Sequence, residues 1–326
     1  MFRTILIFSV FLSFSVELMA IQPKRPVDIH GSLRVDGNQM VDQMGQPPQL
    51  RGISLSWSLW GGKKYYNAEA VSWLAKDFHI SILRASMAVQ PEGGYLSSRE
   101  EQMRLMTIVI DQAIHEGIYV LIDWHDHNAE LHLEESKIFF AGMAKKYSGV
   151  PNVIYEIFNE PAKQNWNVVK SYSEEVIKSI RQYDAKNIIV VGSPRWDQDV
   201  DVAAGDPISG FSNLVYSFHF YASDPNHQEK LRAKAELAMN RGVALFVTEW
   251  GVGESNGNGV FDHQKTEVWM DWMEKYKLSW ANWNVTDKTE TTALLLPGAP
   301  AEGGWTIEQL TESGKFIREK LLKLNQ

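Results

Sequence analysis

The sequence predicts an α/β chain folded as a single (β/α)8 TIM barrel. Three observations carry that expectation. Eight short apolar runs of strand character alternate with longer stretches of helical periodicity. No composition shift or low-complexity linker divides the chain. Nearly every run from the second onward is followed by a polar or aromatic residue, while the starts of the runs show no such series. In a barrel the C-terminal strand ends face one common site, so the third regularity is itself a fold signal.

The elements follow in order. After a proline-rich leader (Pro23, Pro26), strand one is read at Leu50 to Ser54 and a helix at Ala68 to Phe78. Strand two spans Ile80 to Ala85, and a helix runs from Arg99 to Glu116. Strand three, Tyr119 to Asp123, precedes a helix at Leu133 to Tyr147. Strand four, Val153 to Phe158, leads to a helix at Val168 to Tyr183. Strand five covers Ile188 to Gly192 and is followed by only a short helical stretch within Pro194 to Asn213, the weakest unit of the pattern. Strand six, Leu214 to His219, is followed by a helix at Gln228 to Arg241. Strand seven, Ala244 to Thr248, is followed by a helix at Asp262 to Tyr276. Strand eight, Leu278 to Trp283, and a last helix, Thr306 to Leu324, complete the count. An open doubly wound sheet is the competing fold, but no glycine-rich phosphate loop follows strand one.

The strand ends from two to eight present Arg84, His125, Asn159 with Glu160, Trp196, His219 with Tyr221, Glu249 and Trp283. Two of these ends stand out. Val153-Ile154-Tyr155-Glu156-Ile157-Phe158-Asn159-Glu160-Pro161 and Ala244-Leu245-Phe246-Val247-Thr248-Glu249-Trp250-Gly251 are near-continuous apolar runs that finish in a glutamate. A carboxylate in such a place costs several kcal/mol unless it is paired or used. Strands four and seven lie nearly opposite each other around the ring, so Glu160 and Glu249 can face one another. A matched acid and base pair is the requirement of glycoside hydrolysis.

Composition narrows the field. The 326 residues carry a net charge of −8 and no basic run, which excludes nucleic acid as a partner. Twelve Trp, eleven Tyr and fourteen Phe suit flat apolar ligand faces as well as a core. There is no Cys, so stability must come from burial. Residues 1–20 read as a secretory signal, with Arg3 before the short apolar stretch Ile5 to Val16 and Ala20 at a plausible cleavage point. Residues 21–326 then form one catalytic domain, expected to be a secreted, extracellular monomer with no membrane association after signal removal.

The strings Asp123-Trp124-His125, Ile157-Phe158-Asn159-Glu160-Pro161, His219-Phe220-Tyr221-Ala222, Val247-Thr248-Glu249-Trp250-Gly251 and Ser279-Trp280-Ala281-Asn282-Trp283 resemble those of glycoside hydrolase family five. The likeness is to its bacterial-type endo-β-1,4-glucanase branch, which also occurs in plant-feeding invertebrates, and it covers about His30 to Leu321. The resemblance implies a retaining mechanism on a β-glucan polysaccharide, with Glu160 as acid/base and Glu249 as nucleophile. It implies support from Arg84, His125, Asn159, His219 and Tyr221. Trp283 offers a sugar platform, Lys288 and Glu290 match glucosyl contacts beyond the cleavage point, and Trp57 or Trp60 adds a second platform. Trp196 joins the substrate contacts. No cofactor or metal is implied. Xyloglucan, mannan or mixed-linkage glucan are alternative substrates for the same chemistry.

Two strings depart from the family's usual pattern, Asp126-His127-Asn128 and Ser223-Asp224-Pro225, both on rim loops. The only glycosylation sequon, Asn284-Val285-Thr286, falls at the predicted cleft and is expected to stay unoccupied. Glu156 points toward the axis by period two and is read as a buried partner for Arg or Lys. His125 and His127 have a metal-ligand spacing, but only His219 could join them from a later strand, so a metal-dependent hydrolase is the weaker reading. A structural calcium at Asp197 to Asp201 has no better support. By alternation Trp124 and Trp250 point away from the axis, and Trp73, Trp269 and Trp272 are helix residues packing on the barrel.

Overall fold

The computed structural model describes residues 24–325. The expected signal segment, residues 1–20, lies outside them. From Pro26 onward the stretch read as a leader is folded. Pro26 opens a short helix α1 (Pro26–His30), where its fixed φ and missing N–H suit a first helical position. A two-stranded antiparallel hairpin follows, β1 (Arg34–Asp36) and β2 (Gln39–Val41). Leu33 and Met40 pack with Leu50, Ile82 and Tyr119, and Tyr119 donates its hydroxyl to Gly31 O at 2.6 Å. The hairpin is a plug for the N-terminal end of the barrel. It escaped the sequence reading because its strands are only three residues long.

The barrel units then run in order: β3 (Arg51–Leu55), α2 (Ala68–Asp77), β4 (Ile82–Ala88), α3 (Arg99–Glu116), β5 (Tyr119–His125), α4 (Leu133–Tyr147), β6 (Val153–Glu156) and α5 (Trp166–Arg181). They continue with β7 (Ile189–Val191), α6 (Pro194–Asp197), α7 (Val200–Ala203), β8 (Leu214–Tyr221), α8 (Glu229–Asn240), β9 (Leu245–Gly251), α9 (His263–Tyr276), β10 (Trp280–Val285) and α10 (Glu312–Leu324). β3 to β10 form a closed parallel barrel, with β10 bonded to both β9 and β3. The weak unit after strand five is real: a left-handed turn (α6) and a single-turn helix (α7) stand where the other units carry a long helix. Helix starts follow side-chain capping. Asn67, Asn165, Asp262 and Thr311 each accept a backbone N–H three residues on.

Period-two alternation sorts the core into two clusters. Along β5, Val120, Ile122 and Trp124 face the helices, while Tyr119 and Leu121 face the barrel floor. The next inward positions, Asp123 and His125, are polar and buried. β4 repeats the scheme, with Ile82 at the floor and Arg84 and Ser86 above it. The barrel is therefore apolar below and polar above. Trp124, Trp250, Trp269 and Trp272 all belong to the outer cluster, as alternation and helical spacing predict, with Trp73 partly buried against it.

Two strands break the alternation: β10 shifts register against β3 between Trp283 and Val285, and β9 shifts against both of its neighbours. β8 pairs Ser217 with Phe246 and then His219 with Glu249, while β10 pairs Trp280 with Val247 and then Asn282 with Trp250. Both neighbours see one extra residue in β9 between Val247 and Glu249. Such a bulge re-aims side chains. Here consecutive Thr248 and Glu249 both reach inward, to His219 and Arg84 respectively.

β3 and β4 approach closely at Gly52, where an added Cβ would sit 1.7 Å from Ile82 O. That obstacle is backbone and cannot rotate away. Gly52→Ala is expected to cost about 3 kcal/mol or more by overpacking, read as a lowered midpoint in thermal or denaturant unfolding. A variant as stable as the wild type would show that the strands can part there without cost.

Candidate active site

Arg84 is the centre of the polar half of the barrel, and it is fully buried. Its Nε donates to Glu156 Oε2 at 2.8 Å and its Nη2 to Glu156 Oε1 at 3.1 Å, a bidentate pair. Nη2 also donates to Asn159 Oδ1 at 2.7 Å and lies 2.9 Å from Asp123 Oδ2. Nη1 donates to Glu249 Oε2 at 2.8 Å. Glu156 is thus the Arg partner expected of it. Burial raises the pKa of Asp123 and Glu156, and the guanidinium pulls both back. With both Glu156 oxygens taken by Arg84, the geometry holds that carboxylate ionised.

Glu249 comes from the bulged segment of β9, inside the strand rather than at its end. Arg84 serves one oxygen, and the Tyr221 hydroxyl donates to the other, Oε1, at 2.6 Å. Glu160 lies in a different setting. It sits in the loop beyond β6, whose strand ends at Glu156 rather than at Phe158. Its backbone is left-handed, with φ 53°, which is costly for a residue with a Cβ. Its N–H donates to Asp197 Oδ2 at 2.9 Å, and its Oε1 lies 3.1 Å from His219 Nδ1. Burial raises the Glu160 pKa, opposed in part by the nearby His127, Arg84 and His227.

One carboxylate oxygen of Glu160, one of Glu249 and a His219 ring nitrogen lie within 4.8 Å of one another. This is the only such trio of ligand-type atoms among the described residues. Arg84 Nη1 already holds the cationic place beside Glu249. The His125–His127 pair, considered as a metal site, is not part of the trio. His125 Nδ1 instead lies 2.7 Å from Asp123 Oδ2, and burial pushes its pKa well down.

Above these groups opens a cleft of about 700 Å³. Glu160, Tyr221 and Glu249 form its floor with His125 and His127, and its walls include Trp57, Trp60, Trp283, Lys288 and Glu290. The Trp283 ring lies parallel to His125 at 5.4 Å, and Trp57 meets the same imidazole edge-on at 4.3 Å. Trp60 is 68% exposed at the lip. Lys288 Nζ pairs with Glu290 Oε2 at 2.7 Å. Arg84, Asn159 and His219 lie beneath the surface and do not line the cleft. The Asn159 Nδ2 group is buried without a protein partner.

Trp196 departs from expectation. It is 46% exposed and outside the cleft lining. Arg195, Trp196 and Asp197 are three consecutive left-handed residues, and this turn buries Asp197 while leaving Trp196 on the surface. Asp197 was considered only as a calcium ligand. Its oxygens instead accept the N–H groups of Ser193, at 2.5 Å, and Glu160. Nothing in the local pattern separates it from the neighbouring surface aspartates. Thr248 also faces the site, and a hydroxyl inside an apolar strand is a signal that marks it. His227, buried and accepting Tyr221 N–H at 2.9 Å, carried no signal at all. On the rim loops, Asp126 accepts the Asn128 N–H at 3.0 Å and Asp224 accepts the Asn226 N–H at 2.9 Å, so both anchor loop backbone. Asn284 is fully buried, which leaves no room for a glycan.

Two carboxyl groups facing each other under an aromatic cleft, at the C-terminal mouth of a (β/α)8 barrel, are the layout of an enzyme that hydrolyses glycosidic bonds. The chain belongs to the cellulase family, glycosyl hydrolase family 5, which it matches over residues 41–289. It is 43% identical over 290 residues to endoglucanase Z of Dickeya dadantii and 40% identical over 299 residues to an endoglucanase of Clostridium saccharobutylicum. Those alignments take in 88% and 89% of this chain, which spans 65% of the length of either relative. The catalytic domain of Thermobifida fusca endoglucanase Cel5A superposes with a TM-score of 0.87 at 34% identity, covering 92% of this chain and 100% of that one. A structure from Cytophaga hutchinsonii gives 0.90 at 43% identity, covering 93% and 98%. No described helix is long and apolar enough to cross a membrane.

Removing the guanidinium leaves Asp123, Glu156 and Glu249 buried without their cation. Arg84→Met is expected to lower stability by about 3–5 kcal/mol, measured by urea unfolding. An unchanged unfolding free energy would mean that the three carboxylates are neutral in the native state.

Proposed function

We propose that this protein is a secreted endo-β-1,4-glucanase that cleaves cellulose-type glucans with retention of anomeric configuration. The observation that carries the reading is the separation of the Glu160 and Glu249 oxygens, within 4.8 Å. Retaining enzymes hold their two carboxyl groups about 5–5.5 Å apart, and inverting ones about 6.5–9.5 Å to admit a water. The different surroundings of the two groups support a division of labour.

In this reading Glu249 is the nucleophile. Arg84 and Tyr221 hold its oxygens in place, and the carboxylate attacks the anomeric carbon. Glu160 passes its proton to the glycosidic oxygen as the bond breaks. Formation of the glycosyl ester removes the Glu249 charge. Glu160, now a carboxylate, takes a proton from water, and the hydroxide equivalent displaces Glu249 from the anomeric carbon. Asn159 Nδ2 is the free donor for the sugar 2-hydroxyl, a contact that tightens in the transition state. Trp283 supplies the flat face for the ring at the cleavage point, His125 supports that ring from behind, and Trp57, Trp60, Lys288 and Glu290 hold neighbouring glucosyl units. The chemistry needs no cofactor, and a monomer contains all of it. The signal reading of residues 1–20 and the endoglucanases among the relatives support secretion.

Proton NMR of cello-oligosaccharide hydrolysis is expected to show the β-anomer as first product; the α-anomer would overturn the retaining assignment. Glu249→Gln is expected to abolish turnover while still binding cellotetraose in calorimetry, and wild-type turnover would reassign the nucleophile. Glu160→Ala is expected to lose about 10²–10⁴-fold on cellulose and far less on a dinitrophenyl cellobioside, whose leaving group needs no acid. Equal losses on both substrates would remove Glu160 from the acid role.

A further inference from the structure

Among the described residues the Glu160 carboxyl group has one partner at hydrogen-bond distance, His219 Nδ1. Which of the two carries the proton follows from the atoms behind the imidazole. His219 Nε2 lies 2.8 Å from Thr248 Oγ1. Thr248 Oγ1 donates to Glu156 Oε1 at 2.7 Å and also lies 2.6 Å from Ser217 Oγ. Glu156 is the carboxylate held bidentately by Arg84, so both its oxygens act as acceptors. The single Thr248 hydroxyl proton is therefore committed to Glu156. Its lone pairs must accept, one from Ser217 and the other from His219. The His219 proton then sits on Nε2. Two further acceptors lie on that side of the ring, Asp197 Oδ2 at 3.7 Å and Glu156 Oε1 at 3.9 Å. Nδ1 faces Glu160 alone. Burial keeps the imidazole neutral by pushing its pKa down to about 4. A neutral ring protonated on Nε2 offers Glu160 a bare lone pair. The hydrogen bond between them exists only if Glu160 supplies the proton.

We propose that Thr248 is a positioning residue for the acid/base: it fixes the Nε2–H tautomer of His219, whose bare Nδ1 holds Glu160 in its protonated form before substrate arrives. The proposal rests on Glu160 being the acid/base of the reading above. His219 keeps its own proton throughout and is too weak a base to take the one on Glu160. The Glu160 proton goes to the glycosidic oxygen. The carboxylate left behind then faces a lone pair instead of an N–H, which keeps it basic enough to take a proton from water. The β9 bulge makes the arrangement possible, because it turns both Thr248 and Glu249 inward.

The first test needs no substrate. Nitrogen-15 NMR of the His219 ring in the full chain is expected to show the Nε2–H tautomer, and an Nδ1–H tautomer would overturn the proposal outright. This result stands apart from whether the chain cleaves β-glucan. The second test is the pH profile of kcat/KM for the wild type, Thr248→Val and Thr248→Ser. Valine removes the acceptor at Nε2 and frees the ring to place its proton on Nδ1, where it stabilises the Glu160 carboxylate. The alkaline limb, which reports loss of the Glu160 proton, is expected to move down by about one pH unit in Thr248→Val. Serine keeps the hydroxyl and is expected to return the limb toward the wild-type position. The other groups facing Glu160 and His219 are Arg84, His127, Glu156, Asp197, Tyr221, His227 and Glu249. They are common to all three proteins, so a difference in the limb reports position 248. If kcat/KM falls in both variants while the limb stays fixed, Thr248 is only structural.

Discussion

One buried guanidinium sets the terms for this molecule. Arg84 has no contact with solvent, and three carboxylates and an amide oxygen converge on it. Placing a cation inside a barrel costs several kcal/mol of lost hydration, and the same holds for each anion around it. The cluster is tolerable only because each charge meets an opposite one in good geometry. That need explains why the upper barrel is polar while the floor is aliphatic and aromatic. It also explains why the inward positions of β4, β5 and β6 at this level are Arg84, Asp123 and Glu156, which lie on adjacent paired strands.

The two glutamates at the mouth differ by their relation to that cation. Glu249 is bonded to it directly, with Tyr221 on the other oxygen. Glu160 is not among its hydrogen-bond partners. It is held from behind, its N–H on Asp197 and its carboxyl against His219. Two identical side chains a few ångströms apart thereby sit in different surroundings, as an acid and a nucleophile require. The proposed roles follow from this asymmetry of surroundings.

Several departures from regular backbone lie where function is proposed, alongside left-handed residues elsewhere at His79, Asn213 and Lys277. Glu160 and the run Arg195–Asp197 are left-handed without glycine, and the β9 bulge lies beneath them. Each departure from regular backbone aims a polar group: the first the acid, the second its Asp197 anchor, the third the pair Thr248 and Glu249. The regular strands below provide the rigid frame against which such strain can be held. The aromatic walls share this irregularity, since Trp60 is left-handed and β10 shifts register after Trp283. Trp283 and Trp57 rest on His125, and His125 rests on Asp123, so the cleft wall is tied back to the Arg84 cluster.

Much of this was legible in the chain itself. Apolar runs alternating with helical periodicity are enough to specify a β/α architecture, because burial on both faces leaves a parallel strand no polar positions except where a partner waits. Glu156, Glu160 and Glu249 announced themselves as carboxylates in apolar context, and Glu156 was recognisable as a buried Arg partner. Other features were illegible for physical reasons. Strict alternation cannot place both Thr248 and Glu249 inward, and the bulge that does so is a matter of register between neighbouring strands. Asp197 and Trp196 exchanged their expected prominence through three backbone dihedrals that no pattern encodes. The plug at the barrel floor is too short to have a period. The order of charged and apolar residues along the chain thus determined which groups would be buried. Pairing across strands decided which of them would meet, because hydrogen bonds and Coulomb forces act over a few ångströms between residues far apart in sequence.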